Sequence, residues 1–239
     1  MCDEIPLLGG RTTQGIVRKG DYVLRTCCSN STFVHNVLKW LEKKSVSVSA
    51  RFIGIADDGR EITTFLDGIS PENLRSFNGD PEWQPTDKQL YIVGKIIKTI
   101  HTALSDFPGC LTGQTVCHND LSPCNFMFIN DMPYAVFDWD AAGIGDPLND
   151  VAYAAWMWSD IGNSDYSPAQ KGHDIKAILD AYELCKNQRG MLMRKIHEQI
   201  ERVGKSLLAE NKIPNYQWTK DVDVCLYKCQ DEIERNYLK

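Results

Sequence analysis

Hydrophobic positions change period part-way along the chain. Over "GIVRKGDYVLRT", Ile16 and Arg18, then Tyr22 and Leu24, alternate around Gly20-Asp21, the pattern of two strands joined by a two-residue turn. "RFIGIADDGREITTFL" repeats the device around Asp58-Gly59. Between them Val34, Val37, Leu38 and Leu41 recur at helical spacing, with Ser31 as the expected cap. From residue 87 the period becomes helical: Leu90, Val93, Ile97, Ile100 and Leu104 share one face of a helix ending near "SDFPGC". A short hairpin follows, "NFMFI" and "YAVFD" about Asn130-Asp131. Asp146-Pro147 then reads as a helix start, an acidic cap before proline. Two amphipathic helices close the chain, one through Leu192, Ile196, Ile200, Val203 and Leu207, the other through Val222, Leu226, Cys229, Ile233 and Tyr237. The pattern predicts an α+β chain: a small antiparallel sheet with one helix over residues 1–67, then a mainly helical part over 68–239. The boundary falls in "LDGISPENL", where Gly68 and Pro71 interrupt the strand pattern.

Composition narrows the function classes. The chain has 239 residues, 43% hydrophobic and 24% charged, within the ordinary range for a globular protein. A net charge of −6 leaves no basic excess for a general nucleic-acid binder. No apolar run reaches the ~20 residues of a membrane span, and the N-terminus lacks the basic and apolar regions of a signal peptide. Nine cysteines are odd in number and form no C-x-x-C pair, which points to reduced thiols and a cytoplasmic setting.

The chemistry concentrates in "VCHNDLSPCNFMFINDMPYAVFDWD", residues 116–140. Carboxylates beside apolar runs are costly unless a partner offsets them. His118, Asp120, Leu121 and Asn125 have the spacing of the kinase catalytic loop, H-x-D-L-x-x-x-N, and Asp138 follows at the end of the next hairpin, before an aromatic residue. Magnesium prefers hard oxygen ligands and takes few of them from protein, so Asp138 and the amide oxygen of Asn125 suit it. Asp120 suits the acceptance of a proton from an attacking hydroxyl. "AAGIGDP" after Asp138 leaves no room for the activation segment of a protein kinase.

With "PYAVFDWDAAGIGDPLNDVAYAAW", "LLGGRTTQGIVRKGDYVLR" and "IKTIHTAL" added, the chain resembles the aminoglycoside phosphotransferase family, related to choline kinases. The likeness is to a subgroup of small members, some related to trifolitoxin immunity proteins, and spans most of residues 8–160. It implies a bilobal, protein-kinase-like fold with ATP or GTP between the lobes and magnesium as cofactor. It implies Asp120 as catalytic base, Asn125 and Asp138 as metal ligands, His118 as a brace of the loop, and Asp150 as its support from the next helix. A small hydroxylated compound is the implied acceptor. The sequence leaves its identity and the oligomeric state open. Asp140, Asp160, Asp231 and Glu232 are acidic candidates for its cleft.

The first half departs from that pattern. Gly9, Gly10 and Gly15 are candidates for a loop over phosphates, although "GGRTTQG" is not G-x-G-x-x-G. Arg25 stands where the family commonly has lysine, and Val34 or His35 near the place of a helix glutamate. Phe65 and Leu66 are expected to offer backbone groups to the base. An arginine without an acidic helix partner keeps a second reading open: a nucleotide- or toxin-binding immunity-type protein without turnover.

Overall fold

A computed structural model describes residues 3–7, 15–72, 76–77, 79–80 and 82–239. The first part is a five-stranded antiparallel sheet in the order β1 (Ile5–Pro6), β2 (Val17–Lys19), β3 (Tyr22–Arg25), β5 (Glu61–Thr64), β4 (Phe52–Ile55). Lys19 pairs with Tyr22 across the Gly20-Asp21 turn, and the second hairpin turns through Ala56–Arg60 with Gly59 at φ 86°. Helix α1 (Ser31–Lys43) packs its buried Val34, Val37, Leu38 and Leu41 inward, the face its spacing predicts. Its cap differs from expectation: Asn30 is the N-cap residue, and Ser31 lies inside the helix with its hydroxyl accepting from the Cys28 N–H.

The second part is built on α2 (Asp87–Leu104), where Leu90, Val93, Ile97, Ile100 and Leu104 are at most 1% exposed. Thr86 caps it reciprocally with Gln89, satisfying donors that the first turn leaves open. Strand β6 (Thr115–Cys117) pairs with β9 (Gly143–Gly145), and β7 (Phe126–Ile129) with β8 (Met132–Val136) about Asn130 and Asp131, both in the left-handed region. Asp146 caps α3 (Pro147–Trp158) by accepting from the Leu148 N–H. Helices α4 (Pro168–Tyr182), α5 (Lys186–Arg189), α6 (Leu192–Ala209) and α7 (Ile213–Tyr237) complete it. The sequence pattern misses α4 and starts α7 nine residues late.

Two straps join the sheet to the helical part. Ile69 and Phe128 exchange backbone hydrogen bonds, and the Val136 N–H donates to the Val48 carbonyl. The first is tight: a Cβ on Gly68, at φ 116°, would stand 2.1 Å from the Phe128 oxygen. Glycine there lets the chain cross close to β7. This is a mixed α+β architecture in two parts, with residues 116–140 where they meet.

Candidate active site

The loop after β6 is held from beneath by one buried carboxylate. Asp150, on the first turns of α3 and 0% exposed, accepts from the backbone N–H groups of His118 (2.6 Å) and Asn119 (2.7 Å). His101 of α2 lies 3.0 Å from the same carboxylate through Nε2, and its Nδ1 meets the Tyr182 hydroxyl at 2.9 Å. Burial opposes ionisation of Asp150, but the His101 hydrogen bond and the His118 backbone donor outweigh it and hold the group below the usual carboxylate range. His118 ties the loop to the next hairpin. Its Nδ1 accepts from the Asp120 N–H at 3.3 Å and its Nε2 donates to the Phe137 carbonyl at 3.0 Å, which fixes the proton on Nε2.

Asp120 and Asn125 are locked to each other. The Asn125 amide nitrogen donates to the Asp120 carbonyl at 2.9 Å, which turns its oxygen away from that contact. The Asp120 carboxylate accepts from the Tyr153 hydroxyl at 2.8 Å. Burial, and after it the Asp120 charge, pushes the Tyr153 phenol well above its ordinary pKa, so Tyr153 is a standing donor to Asp120. Tyr153 is one turn beyond Asp150 on α3 and carries no motif of its own, so spacing alone does not reveal it.

Asp138 does not end a strand as the pattern suggests. β8 stops at Val136, and Asp138 adopts φ 63° before a short 3₁₀ turn at Trp139–Ala141. Non-glycine residues rarely take that conformation, aspartate more often than most. Burial, then the Asp140 charge, raises its pKa above the usual value, while Arg25 pulls it down. Asp120 and Asp140 both act on Asp138 in the direction of proton uptake, so the place has a surplus of negative charge. Two hard oxygen donors in such a surplus fit a small divalent cation such as magnesium.

Arg25 projects from β3 into this surplus. Its guanidinium donates to both oxygens of Asp140, at 3.1 and 2.5 Å, and lies 3.7 Å from Asp138. Its Nε donates to Glu61 of β5, which is 1% exposed. The other oxygen of Glu61 lies 2.5 Å from His35 Nε2 on α1. Arg25 therefore has its buried acid, on a strand where a helix was expected, and His35 connects α1 to that acid. Asn30 adds two bonds across the same gap, from its amide to the carbonyls of Asp140 (3.0 Å) and Ala142 (2.9 Å).

Other sequence candidates are placed as follows. Asp140 is engaged by Arg25 and does not stand free for an acceptor. Asp231 lines a groove with Lys186, Arg189 and Arg235 near the C-terminus. The Phe65 N–H donates to the Asp21 carbonyl, and the Arg18 guanidinium lies 3.7 Å over its ring, so Phe65 keeps only its carbonyl for a base. Gly15 is at φ 77°, while Gly9 and Gly10 lie outside the described residues.

A catalytic-type loop braced by a helix carboxylate, facing a cation on an antiparallel sheet, is the decisive arrangement. Residues 82–185 match the phosphotransferase enzyme family. The matched segment contains Asp120, Asn125, Asp138, Asp150 and Tyr153, and excludes Arg25 and Glu61. Among curated proteins, the trifolitoxin immunity protein of Rhizobium leguminosarum bv. trifolii is 26% identical over 220 residues, covering 82% of this chain and 80% of that one. Among solved structures, an amicoumacin kinase in complex with AMP-PNP, calcium and amicoumacin superposes with a TM-score of 0.65 at 11% identity, over 92% of this chain and 89% of that one. The gentamicin complex of APH(2")-IIa gives 0.60 at 13% identity, over 97% and 93%. A choline/ethanolamine kinase family protein from Mesorhizobium loti gives 0.52 at 16%, over 99% and 88%. At these identities the structural likeness shows a fold shared with these kinases.

Proposed function

We propose that the protein transfers the γ-phosphoryl group of ATP or GTP to a hydroxyl of a small molecule. The observation that carries this reading is the approach of the Arg25 guanidinium to 3.7 Å from Asp138, whose carboxyl also feels the Asp120 charge in the loop where Asn125 is tied to Asp120. Asp120, oriented by Tyr153, accepts the proton of the acceptor hydroxyl. The freed oxygen attacks the γ-phosphorus, and the bond to the β,γ-bridging oxygen breaks to release the diphosphate. Arg25 holds phosphate oxygens. Asp138 and the Asn125 oxygen hold magnesium, which supplies charge neutralisation at the phosphates when bound. His118 and Asp150 keep the loop in register. The base rests near the Phe65 carbonyl and the Leu66 backbone, and Gly9 and Gly10 are candidates for the phosphates on the sequence alone. The described cysteines form no disulfide with one another, which supports a reducing, cytoplasmic setting.

A second reading has its own observation. The relative at 26% identity is an immunity protein, and Arg25 is already engaged by Glu61 and Asp140. A binder without turnover on the same fold accommodates both facts.

One pair of variants separates the readings. Asp138→Asn loses magnesium-dependent nucleotide affinity, measured by titration calorimetry, because a neutral amide is a poorer ligand for a hard dication. Asp120→Asn keeps nucleotide affinity while transfer from radiolabelled ATP falls by ~10²–10⁴. Wild-type nucleotide binding and unchanged turnover in both variants would refute the phosphotransferase reading. Nucleotide binding by the parent with no transfer to any acceptor or water favours the binder.

A further inference from the structure

Behind Arg25, the fold gathers three donors that the sequence scatters over thirty-five positions. Cys27 follows β3, His35 lies on α1, and Glu61 opens β5; a thiol sulfur, an imidazole nitrogen and a carboxylate oxygen from these residues lie within 4.8 Å of one another. Each is set up differently. Glu61 is 1% exposed. The His35 ring stacks on Phe52, with centroids 3.8 Å apart and planes at 19°, so its Nε2 has a fixed direction. Cys27 is exposed, and its sulfur contacts the Gly59 carbonyl at 3.7 Å.

Sulfur, nitrogen and oxygen donors in one cluster are the mixture that zinc accepts, whereas magnesium and calcium take oxygen. A tetrahedral ion with zinc's usual bond lengths holds its ligands ~3.3–3.7 Å apart. The His35–Glu61 contact, 2.5 Å, has to open by about 1 Å to admit it, and Cys27 has to close by a similar amount. The second cluster of this kind, His101, Cys117 and Asp150, does not qualify. It is buried throughout, and the Asp150 carboxylate already holds two backbone N–H groups and His101.

We propose that Cys27, His35 and Glu61 form a zinc-type metal site, with water in the fourth position on the exposed side of Cys27. On binding, the Cys27 thiol proton leaves to solvent. The proton between His35 and Glu61 moves off Nε2, to Nδ1 or to solvent, so that Nε2 coordinates the metal. Glu61 keeps Arg25 on its other oxygen, so the ion ties α1 to the sheet without taking the acid from the arginine. The helix that offers Arg25 no acid is thus fastened through a metal.

The test uses the untagged full-length chain, stripped of metal and titrated with Co²⁺ and then Zn²⁺. One Co²⁺ per chain binds with a thiolate-to-cobalt charge-transfer band and the visible bands of a tetrahedral site, and one equivalent of Zn²⁺ removes both. Cys27→Ser abolishes the charge-transfer band and weakens Zn²⁺ binding by more than ~100-fold, beyond the 10–100-fold typical of outer-shell partners. His35→Gln weakens it comparably, and Cys28→Ser leaves it unchanged. Serine at exposed Cys27 preserves the fold, verified by far-ultraviolet circular dichroism. Absence of the cobalt band in the parent, or its survival in Cys27→Ser, overturns the proposal. None of these readouts passes through phosphoryl transfer, so failure here is distinct from failure of the functional reading.

Discussion

Asp150→Ala removes the support of the catalytic-type loop, and its cost can be worked from the contacts. Two backbone donors, at His118 and Asn119, lose their acceptor in a place without solvent access, since Asp150 is 0% exposed. Each orphaned buried donor costs ~1–3 kcal/mol. His101 also loses its carboxylate partner. The two backbone donors alone therefore cost ~2–6 kcal/mol. That is a large share of the ~5–15 kcal/mol stability of ordinary domains. Equilibrium unfolding in urea, followed by tryptophan fluorescence and circular dichroism, measures the loss. Hydrogen exchange at residues 118–120 shows whether it is local. The pH dependence has a definite sign. The folded pKa of Asp150 is depressed, so its contribution is present above the unfolded value of ~3.9 and is lost as pH falls through the folded one. The difference between parent and Asp150→Asn therefore stays constant from about pH 5 to 8 and shrinks only below about pH 4. A loss under about 1 kcal/mol for Asp150→Ala, with unchanged exchange at the loop, would refute this account of how the loop is held.

Arg25→Ala weakens nucleotide binding by calorimetry far more than Arg60→Ala, whose guanidinium is engaged at the surface by Glu4 and Asp58; equal effects would place Arg25 outside the site. Gly94→Ala destabilises by at least ~2 kcal/mol in chemical denaturation, because its Cβ would meet the Ile178 carbonyl oxygen at 2.5 Å and the Ala181 Cβ at 2.7 Å where α2 crosses α4. Asp174 is pushed up to about 6, chiefly by burial. Its ionised form is therefore disfavoured in the fold, and Asp174→Asn stabilises by up to ~3 kcal/mol above pH 6, a gain that fades as pH falls toward 4 and that parallel thermal melts reveal.

What the sequence discloses and what it hides have separate physical causes. His118, Asp120 and Asn125 are legible because a single loop fixes their spacing, and Asp138 because one hairpin carries it back. Glu61 is not legible, since it reaches Arg25 only through strand pairing thirty-six positions away. α4 is hidden because Lys171 and Asp174 occupy buried positions and interrupt the apolar period, while Gly172 lies against the Tyr237 ring. The early turns of α7 stay unrecognised because residues before Thr219 are mostly exposed, Ile213 and Trp218 among them, and so follow no apolar period. Asn30 displaces Ser31 as the cap residue because its side chain is drawn away to Asp140 and Ala142, a tertiary demand that local propensity does not contain.

The Arg25–Asp140 pair makes Asp140 a tethered competitor. A side chain fixed on the opposite wall stands at an effective concentration of millimolar order, so an anion arriving at Arg25 must displace it. On the proposed function, a dication at Asp138 would attract the neighbouring carboxylate and loosen it from the arginine, lowering the barrier for the anion. Linkage then requires the reverse: an anion on Arg25 releases Asp140 and strengthens the hold on the dication by the same factor. Cation and anion recognise one another through a residue that neither needs to touch.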